Sequence, residues 1–106
     1  MLDKFCAEVL GTFIFLSVII TSGHATERCS DALTWIKIGL ALAISILLIG
    51  VVSGGHLNPA VSFMLYLNND IKLETLGVYI VAQLLGGTLA YFYYVYLRQS
   101  YGKMIK

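Results

Sequence analysis

The only proline of the chain, Pro59, marks the start of a short helix. Asn58 before it is a favourable helix N-cap, and proline suits the first helical position because the N–H that it lacks would be unpaired there. A Ser-Gly-Gly segment at 53–55 interrupts the apolar run that comes before, and Asn-Asn-Asp at 68–70 ends the run that follows. The sequence therefore predicts a loop that leads into a helix over 59–67.

This helix is half as long as a membrane requires. Its nine residues extend over about 14 Å, whereas the hydrocarbon layer of a bilayer is about 30 Å thick. Lipid offers no hydrogen bonds to exposed loop backbone, so such a segment must be covered by protein or must line a water-filled cavity. Residues 53–67 thus predict a re-entrant element beside a pore or a substrate site.

Three longer apolar runs surround this element. They cover residues 5–22, 35–52 and 76–97, and each is long enough to cross a bilayer as a helix. Hydrophobic residues make up 58% of the chain and charged residues 12%, which is far from the balance of a soluble domain. The sequence predicts one all-α membrane domain over 1–106, with three transmembrane helices and one re-entrant half-helix. It would be an integral, multi-pass protein of the lipid bilayer.

Composition and charge also narrow the function. The net charge is +1, and no basic stripe with interleaved aromatic residues indicates nucleic-acid binding. Glu8 lies inside the first run, which has no signal-peptide cleavage pattern, so the run is expected to be retained. Cys6 and Cys29 lie on opposite sides of this run, and a disulfide between them would have to cross the bilayer. No catalytic residue, metal site or cofactor is expected, and the chain is predicted not to be an enzyme.

Small residues recur every four positions in the second and third runs. In lipid, this spacing lets two helix backbones approach closely. We interpret these residues as packing seams; they are Gly39 and Ala43 with Ala41 and Ser45, and Ala82, Gly86 and Ala90.

Three motifs lie on the predicted elements in a fixed order. They are Ala-Glu-Val-Leu-Gly-Thr-Phe at 7–13, Ser-Gly-Gly-His-Leu-Asn-Pro-Ala-Val-Ser at 53–62 and Ala-Gln-Leu-Leu-Gly at 82–86. Through them the chain, from about residue 2 to residue 96, resembles the aquaporin and aquaglyceroporin family of major intrinsic proteins. The resemblance implies the first half of an inverted-repeat fold, in which each half carries its own Asn-Pro-Ala half-helix. The sequence ends where the second half would begin.

The resemblance implies a membrane channel for water or small neutral solutes such as glycerol. A half-helix that begins at Pro59 directs the positive end of its dipole toward the membrane midplane, where it repels cations. The Asn58 amide can donate to a passing solute, and extended backbone before it can present carbonyl oxygens. The residues expected to line the pore are Ile38, Gly54, Gly55, His56, Asn58, Pro59 and Ala60.

Four residues on the predicted helices and loop are each assigned a separate role. The resemblance implies that Glu8, which is costly in a membrane without partners, braces the re-entrant backbone, and that Gln83 similarly satisfies loop carbonyls. His56 is either a neutral histidine held by backbone partners or a pore-side sensor, since its side chain titrates near neutral pH. Ile38, 20 residues before Asn58, matches a filter position that is often aromatic in the family.

Other functions stay open at this point. One half-helix reaches only the midplane, so a complementary half-channel or a second copy is expected to complete a pore, and an oligomer is expected. The chain would otherwise be a pore-incomplete assembly or regulatory subunit, or a fragment of a longer channel. A small proton-coupled transporter is a remote alternative that Glu8 suggests. The Lys and Arg distribution favours a cytoplasmic C-terminus, whereas the resemblance implies a cytoplasmic N-terminus.

Overall fold

The computed structural model describes residues 1–22 and 32–104, and the elements within these ranges are four α-helices. They are α1 (Leu2–Thr21), α2 (Ala32–Ser53), α3 (Pro59–Leu67) and α4 (Leu73–Met104). Helices α1, α2 and α4 are each long and apolar enough to cross a membrane. The predicted all-α class with three candidate spans is confirmed. Cys29 lies outside the described residues.

The long helices extend past the apolar runs that predict them. Helix α1 begins three residues before the predicted start at 5, and α4 covers Leu73–Met104 where the sequence predicts a span over 76–97. An apolar run marks the part of a helix that contacts lipid, whereas helical backbone hydrogen bonds continue through the polar layer. Helix α3 covers the residues of the predicted half-helix.

Helix α1 packs against both α2 and α4. Its contact with α4 is close enough that a Cβ built on Gly86 would lie 2.7 Å from the Val9 carbonyl oxygen and 3.1 Å from the Phe13 nitrogen. Ala82 and Ala90, one turn to either side of Gly86, are buried. Small residues therefore allow the backbones of α1 and α4 to touch, as the seam in the third run predicts.

The prediction of a packing seam in the second run is only partly correct. Ala41 and Ser45 are buried on the side of α2 that faces α1, whereas Gly39 and Ala43 are exposed. Nothing lies within 4 Å of a Cβ built on Gly39. Two residues along a helix correspond to a rotation of about 200°. The two pairs therefore lie on opposite sides of α2, and only one of them packs within the chain.

The loop after Ser53 brings the start of α3 to the middle of the bundle. Leu57 is 3% exposed, and a Cβ built on Gly11 would lie 2.7 Å from its Cδ2 atom. Gly11 lies about 14 Å along α1, which is about 30 Å long. The N-terminus of α3 is thus near mid-depth, and the helix returns from there toward the turn that begins α4.

Gly86→Ala should destabilise the protein, because the added methyl group would meet backbone atoms of α1 that cannot move independently. We expect a loss of about 1–3 kcal/mol. Gly77→Ala is the matched control in the same helix, since nothing lies within 4 Å of its Cβ position. It should be neutral or stabilising by up to about 1 kcal/mol. Reversible unfolding in mixed micelles, followed by circular dichroism, measures both; equal stability of the two variants would contradict the close α1–α4 contact.

Candidate functional site

Helix α3 begins with a side-chain cap. The Asn58 backbone is extended, with φ −154° and ψ 124°, and its Oδ1 accepts a hydrogen bond from the Ala60 nitrogen at 2.8 Å. Pro59 occupies the start of the helix, where its missing N–H costs nothing. All three residues are exposed, and Asn58 Nδ2 donates to no group in the described part of the chain. The exposed start of α3 therefore offers a free amide donor.

The loop before Asn58 adopts left-handed backbone conformations. Gly54 and Gly55 have φ values of +87° and +67°, which glycine adopts without steric cost. Leu57 has a φ of +57°, where a residue with a side chain is strained by about 1 kcal/mol or more. Gly54 is exposed, Gly55 is buried and His56 is half-buried. Tertiary contacts must hold this loop, because local propensity does not favour it.

Glu8 of α1 supplies the main contacts. The side chain is fully buried, and its carboxylate accepts four hydrogen bonds. Oε2 accepts from Ser53 Oγ at 2.6 Å and from the His56 nitrogen at 3.1 Å. Oε1 accepts from the Leu57 nitrogen at 2.9 Å and from Gln83 Nε2 at 3.0 Å. Because all four groups donate, both oxygens act as acceptors, and Glu8 links α1 to α2, the loop and α4.

Gln83 of α4 extends this network to α3. Its Nε2 donates to Glu8 Oε1 and to Ser62 Oγ, each at 3.0 Å. The expectation that Gln83 contacts loop carbonyls is wrong, since both of its N–H groups are directed to side-chain oxygens. A carboxylate is a stronger acceptor than a carbonyl oxygen, which accounts for the bond to Glu8. Within the described residues Gln83 Oε1 has no partner.

The His56 ring is held by side chains. Its Nδ1 lies 2.8 Å from Ser62 Oγ, and its centroid lies 4.6 Å from that of the Tyr79 ring. The backbone partner that one interpretation of the sequence assigns to the ring is therefore replaced by a serine hydroxyl and an aromatic face. The backbone of His56 is held separately, through its contact with Glu8.

Three residues of this site were not singled out from the sequence. Ser53 and Ser62 lie in the 53–62 motif and supply hydroxyl groups to Glu8, Gln83 and His56. Tyr79 donates its hydroxyl to the Ser53 carbonyl oxygen at 2.7 Å. The available signal was its position one helical turn before Gln83, which places both side chains on the same face of α4.

Ile38 is the predicted site residue that lies apart from the others. Gly11 approaches both Ile49 and Leu57, so Ile49 marks the level at which α3 begins. Ile38 lies eleven residues before Ile49, or about 16 Å along α2. Its predicted role in a selectivity filter thus stays a prediction, whereas Glu8, Gln83 and His56 meet in one network.

Comparison with known proteins identifies the family of the chain. The family described as major intrinsic protein matches residues 1–104. The chain belongs to that family. Together with its three candidate spans, this makes it an integral, multi-pass membrane protein. No solved structure matches the chain.

Individual major intrinsic proteins show the same similarity. The chain is 33% identical to Aquaporin Z of Photorhabdus laumondii over 85% of its own length and 41% of that protein. It is 38% identical to Aquaporin AqpM of Methanothermobacter marburgensis, with coverages of 86% and 39%. It is 37% identical to Aquaglyceroporin-4 of Botryotinia fuckeliana, with coverages of 81% and 11%. The chain thus spans between about a tenth and two fifths of the length of these relatives.

Glu8→Gln should release the loop, because the new amide group would direct N–H donors at groups that themselves donate. Each carboxylate oxygen accepts two of the four hydrogen bonds, so two are lost whichever oxygen the amide group replaces. With about 1.5–3 kcal/mol for each bond to a charged group, we expect a loss of about 3 kcal/mol or more. Amide hydrogen exchange at His56 and Leu57 should accelerate in parallel. Glu74→Gln, at an exposed site in the first turn of α4, is the control, and equal effects of the two variants would refute the role of Glu8.

Proposed function

We propose that the chain forms one half of a membrane channel for water or small neutral solutes such as glycerol. One observation carries the proposal: an exposed asparagine caps a half-length helix whose N-terminus lies near mid-depth of three membrane-length helices. The printed names of the relatives, aquaporins and aquaglyceroporins, support the same solutes. The proposal assigns no catalytic residue, metal or cofactor.

The start of α3 would select neutral solutes. The positive end of its dipole opposes the entry of cations. A hydroxyl oxygen of water or glycerol can accept a hydrogen bond from the free Asn58 Nδ2, and its hydrogens can be donated to backbone carbonyl groups at 54–56. Pro59 and Ala60 would form the apolar wall beside this donor. Solutes would thus exchange hydrogen bonds with water for hydrogen bonds with protein while they pass.

A complementary half is part of the proposal. Helix α3 is about 14 Å long and reaches only to mid-depth. Its side chains Phe63 and Met64 are more than half exposed, and a groove of about 480 Å³ lies beside Pro59 between α1 and α4. A second half-channel, or a second copy inserted in the opposite direction, would cover these apolar surfaces and supply the other half of the pathway.

The geometry does not favour the proton-coupled alternative. A proton-carrying carboxylate must become accessible and change its partners, whereas Glu8 is fully buried and accepts four hydrogen bonds. An assembly or regulatory subunit is the alternative that a test of conduction must separate from the channel half.

The osmotic water permeability of proteoliposomes tests the proposal directly. The chain is reconstituted in proteoliposomes by itself and, in parallel, fused to the part of Photorhabdus laumondii Aquaporin Z that it does not match. We expect the fusion to swell or shrink faster than empty vesicles after an osmotic step, since it contains both halves of a pathway. Absence of flux through a fusion shown to be folded and inserted would contradict the channel function and favour the subunit alternative.

Asn58→Asp in the same fusion should admit cations while it preserves the fold. Asp is also a good N-cap, so α3 should form, but a carboxylate offsets the positive potential that excludes cations. We expect cation leak to rise by about tenfold, which corresponds to about 1.4 kcal/mol in the barrier. Asn69→Asp, in the exposed turn after α3, makes the same chemical change away from the site and should leave the leak unaltered. Unchanged water flux and ion leak in Asn58→Asp would show that Asn58 does not line a path.

A further inference from the structure

Tyr79 holds the loop from α4 through two separate contacts. The side chain is 3% exposed, and its hydroxyl donates to the Ser53 carbonyl oxygen at 2.7 Å. Its ring lies against the His56 ring at 4.6 Å, with an angle of 53° between the planes. Tyr79 therefore contacts the residue before Gly54 and the residue after Gly55.

The Ser53 carbonyl oxygen lies at the boundary between helix and loop. The last four carbonyl groups of a helix have no partner within it and need one from elsewhere. The Gly54 nitrogen still donates to the Gly50 carbonyl oxygen at 2.8 Å, after which the backbone turns at the positive φ of Gly54. The tyrosine hydroxyl thus caps α2 from another helix and determines where the loop starts.

The segment between the two contacts is otherwise held through its amide nitrogens. Gly54 and Gly55 carry no side chains, and glycine loses more conformational freedom on ordering than any other residue. The Gly55 nitrogen donates to Ser53 Oγ at 3.2 Å, and the His56 nitrogen donates to Glu8. These bonds fix amide nitrogens. Tyr79 instead fixes the Ser53 carbonyl group, which directly precedes the carbonyl groups at 54–56.

We propose that Tyr79 is a positioning residue that orients the backbone carbonyl groups at 54–56 and so sets how strictly the path discriminates between small neutral solutes. The inference rests on the proposed channel function and adds a determinant of selectivity that acts through the backbone of the loop. A solute that loses its hydrating water forms hydrogen bonds with carbonyl groups in a fixed arrangement. If that arrangement is looser, it discriminates less between solutes of different size. Tyr79 lines the same cavity as Gly54 and His56, but its hydroxyl hydrogen is donated to the Ser53 carbonyl oxygen, so the proposed role acts through that arrangement.

The position of Tyr79 on α4 supports this role. Gln83 lies one turn further along the same face and donates to Glu8 and Ser62. Two neighbouring residues of one helix therefore hold the loop at its start and the helix that follows it. Since α4 packs closely on α1 at Gly86, both contacts are made from a rigid element.

Tyr79→Phe separates the hydroxyl from the ring. The variant retains an aromatic face for His56 and removes the donor to Ser53. In the fusion described above, we expect the ratio of glycerol to water permeability to rise by about three- to tenfold, the range that loss of one hydrogen bond corresponds to. A purely structural role would reduce the number of folded channels and lower both permeabilities equally, which leaves the ratio constant. Tyr96→Phe, at a residue that is 66% exposed on the same helix, should also leave it constant.

Amide hydrogen exchange tests the positioning role independently of flux. In the chain itself, reconstituted in lipid nanodiscs, Tyr79→Phe should accelerate exchange at Gly54 and Gly55 by about tenfold, because the loop is anchored by one contact fewer. Amides in the middle of α1 should exchange as before. With His24→Gln as background, His56 is the only histidine, and its ring resonances should shift in Tyr79→Leu more than in Tyr79→Phe.

The two readouts have distinct consequences. If the unsubstituted fusion does not conduct, the channel function fails, and the selectivity role of Tyr79 fails with it, whatever the exchange data show. If the fusion conducts, a constant glycerol-to-water ratio in Tyr79→Phe overturns the inference. Unchanged exchange at Gly54 and Gly55 overturns it as well, because the loop is then not positioned by Tyr79.

Discussion

The burial of one carboxylate determines how the rest of this structure is arranged. An ionised side chain inside a membrane bundle is costly unless donors surround it. Glu8 is fully buried and accepts four hydrogen bonds from a serine, two loop amides and a glutamine, which belong to three different elements. The Glu8 side chain therefore requires α1, the end of α2, the loop and α4 to meet around its two carboxylate oxygens. A loop that lacks regular secondary structure obtains its backbone partners in this way.

Close helix packing makes this meeting possible. Gln83 reaches Glu8 from α4 because small residues on that helix allow its backbone to contact α1, most closely at Gly86. A larger residue there would separate the two helices, and hydrogen bonds depend steeply on distance and direction. On the other side of α1, Gly11 leaves room for Leu57, whose strained backbone is offset by a buried side chain and by its bond to Glu8. Packing and hydrogen bonding thus depend on each other.

This arrangement connects the fold to the proposed passage of neutral solutes. The loop is held on its buried side, so the opposite side of the α3 N-terminus remains exposed, with the Asn58 amide free to donate. Tyr79, Gln83 and Glu8 are all buried, and their polar groups form hydrogen bonds to the loop or to one another. The proposed selectivity therefore depends on side chains that act through the backbone of the loop. Apolar surfaces are exposed on α3 and beside Pro59, and the proposed complementary half would pack there.

Local patterns in the sequence determined the class of this protein, its three spans and the half-helix at 59–67, because apolar length and an Asn-Pro cap are signals of neighbouring residues. They also marked Glu8 and Gln83 as polar residues that need partners in an apolar environment. The partners themselves were decided by tertiary structure. Tyr79 is an ordinary tyrosine in an apolar run until α4 packs on α1 and brings it to Ser53 and His56. Gly39 and Ala41 differ in burial although they belong to the same kind of seam, since helix rotation, which a stripe of small residues does not encode, determines which side meets α1.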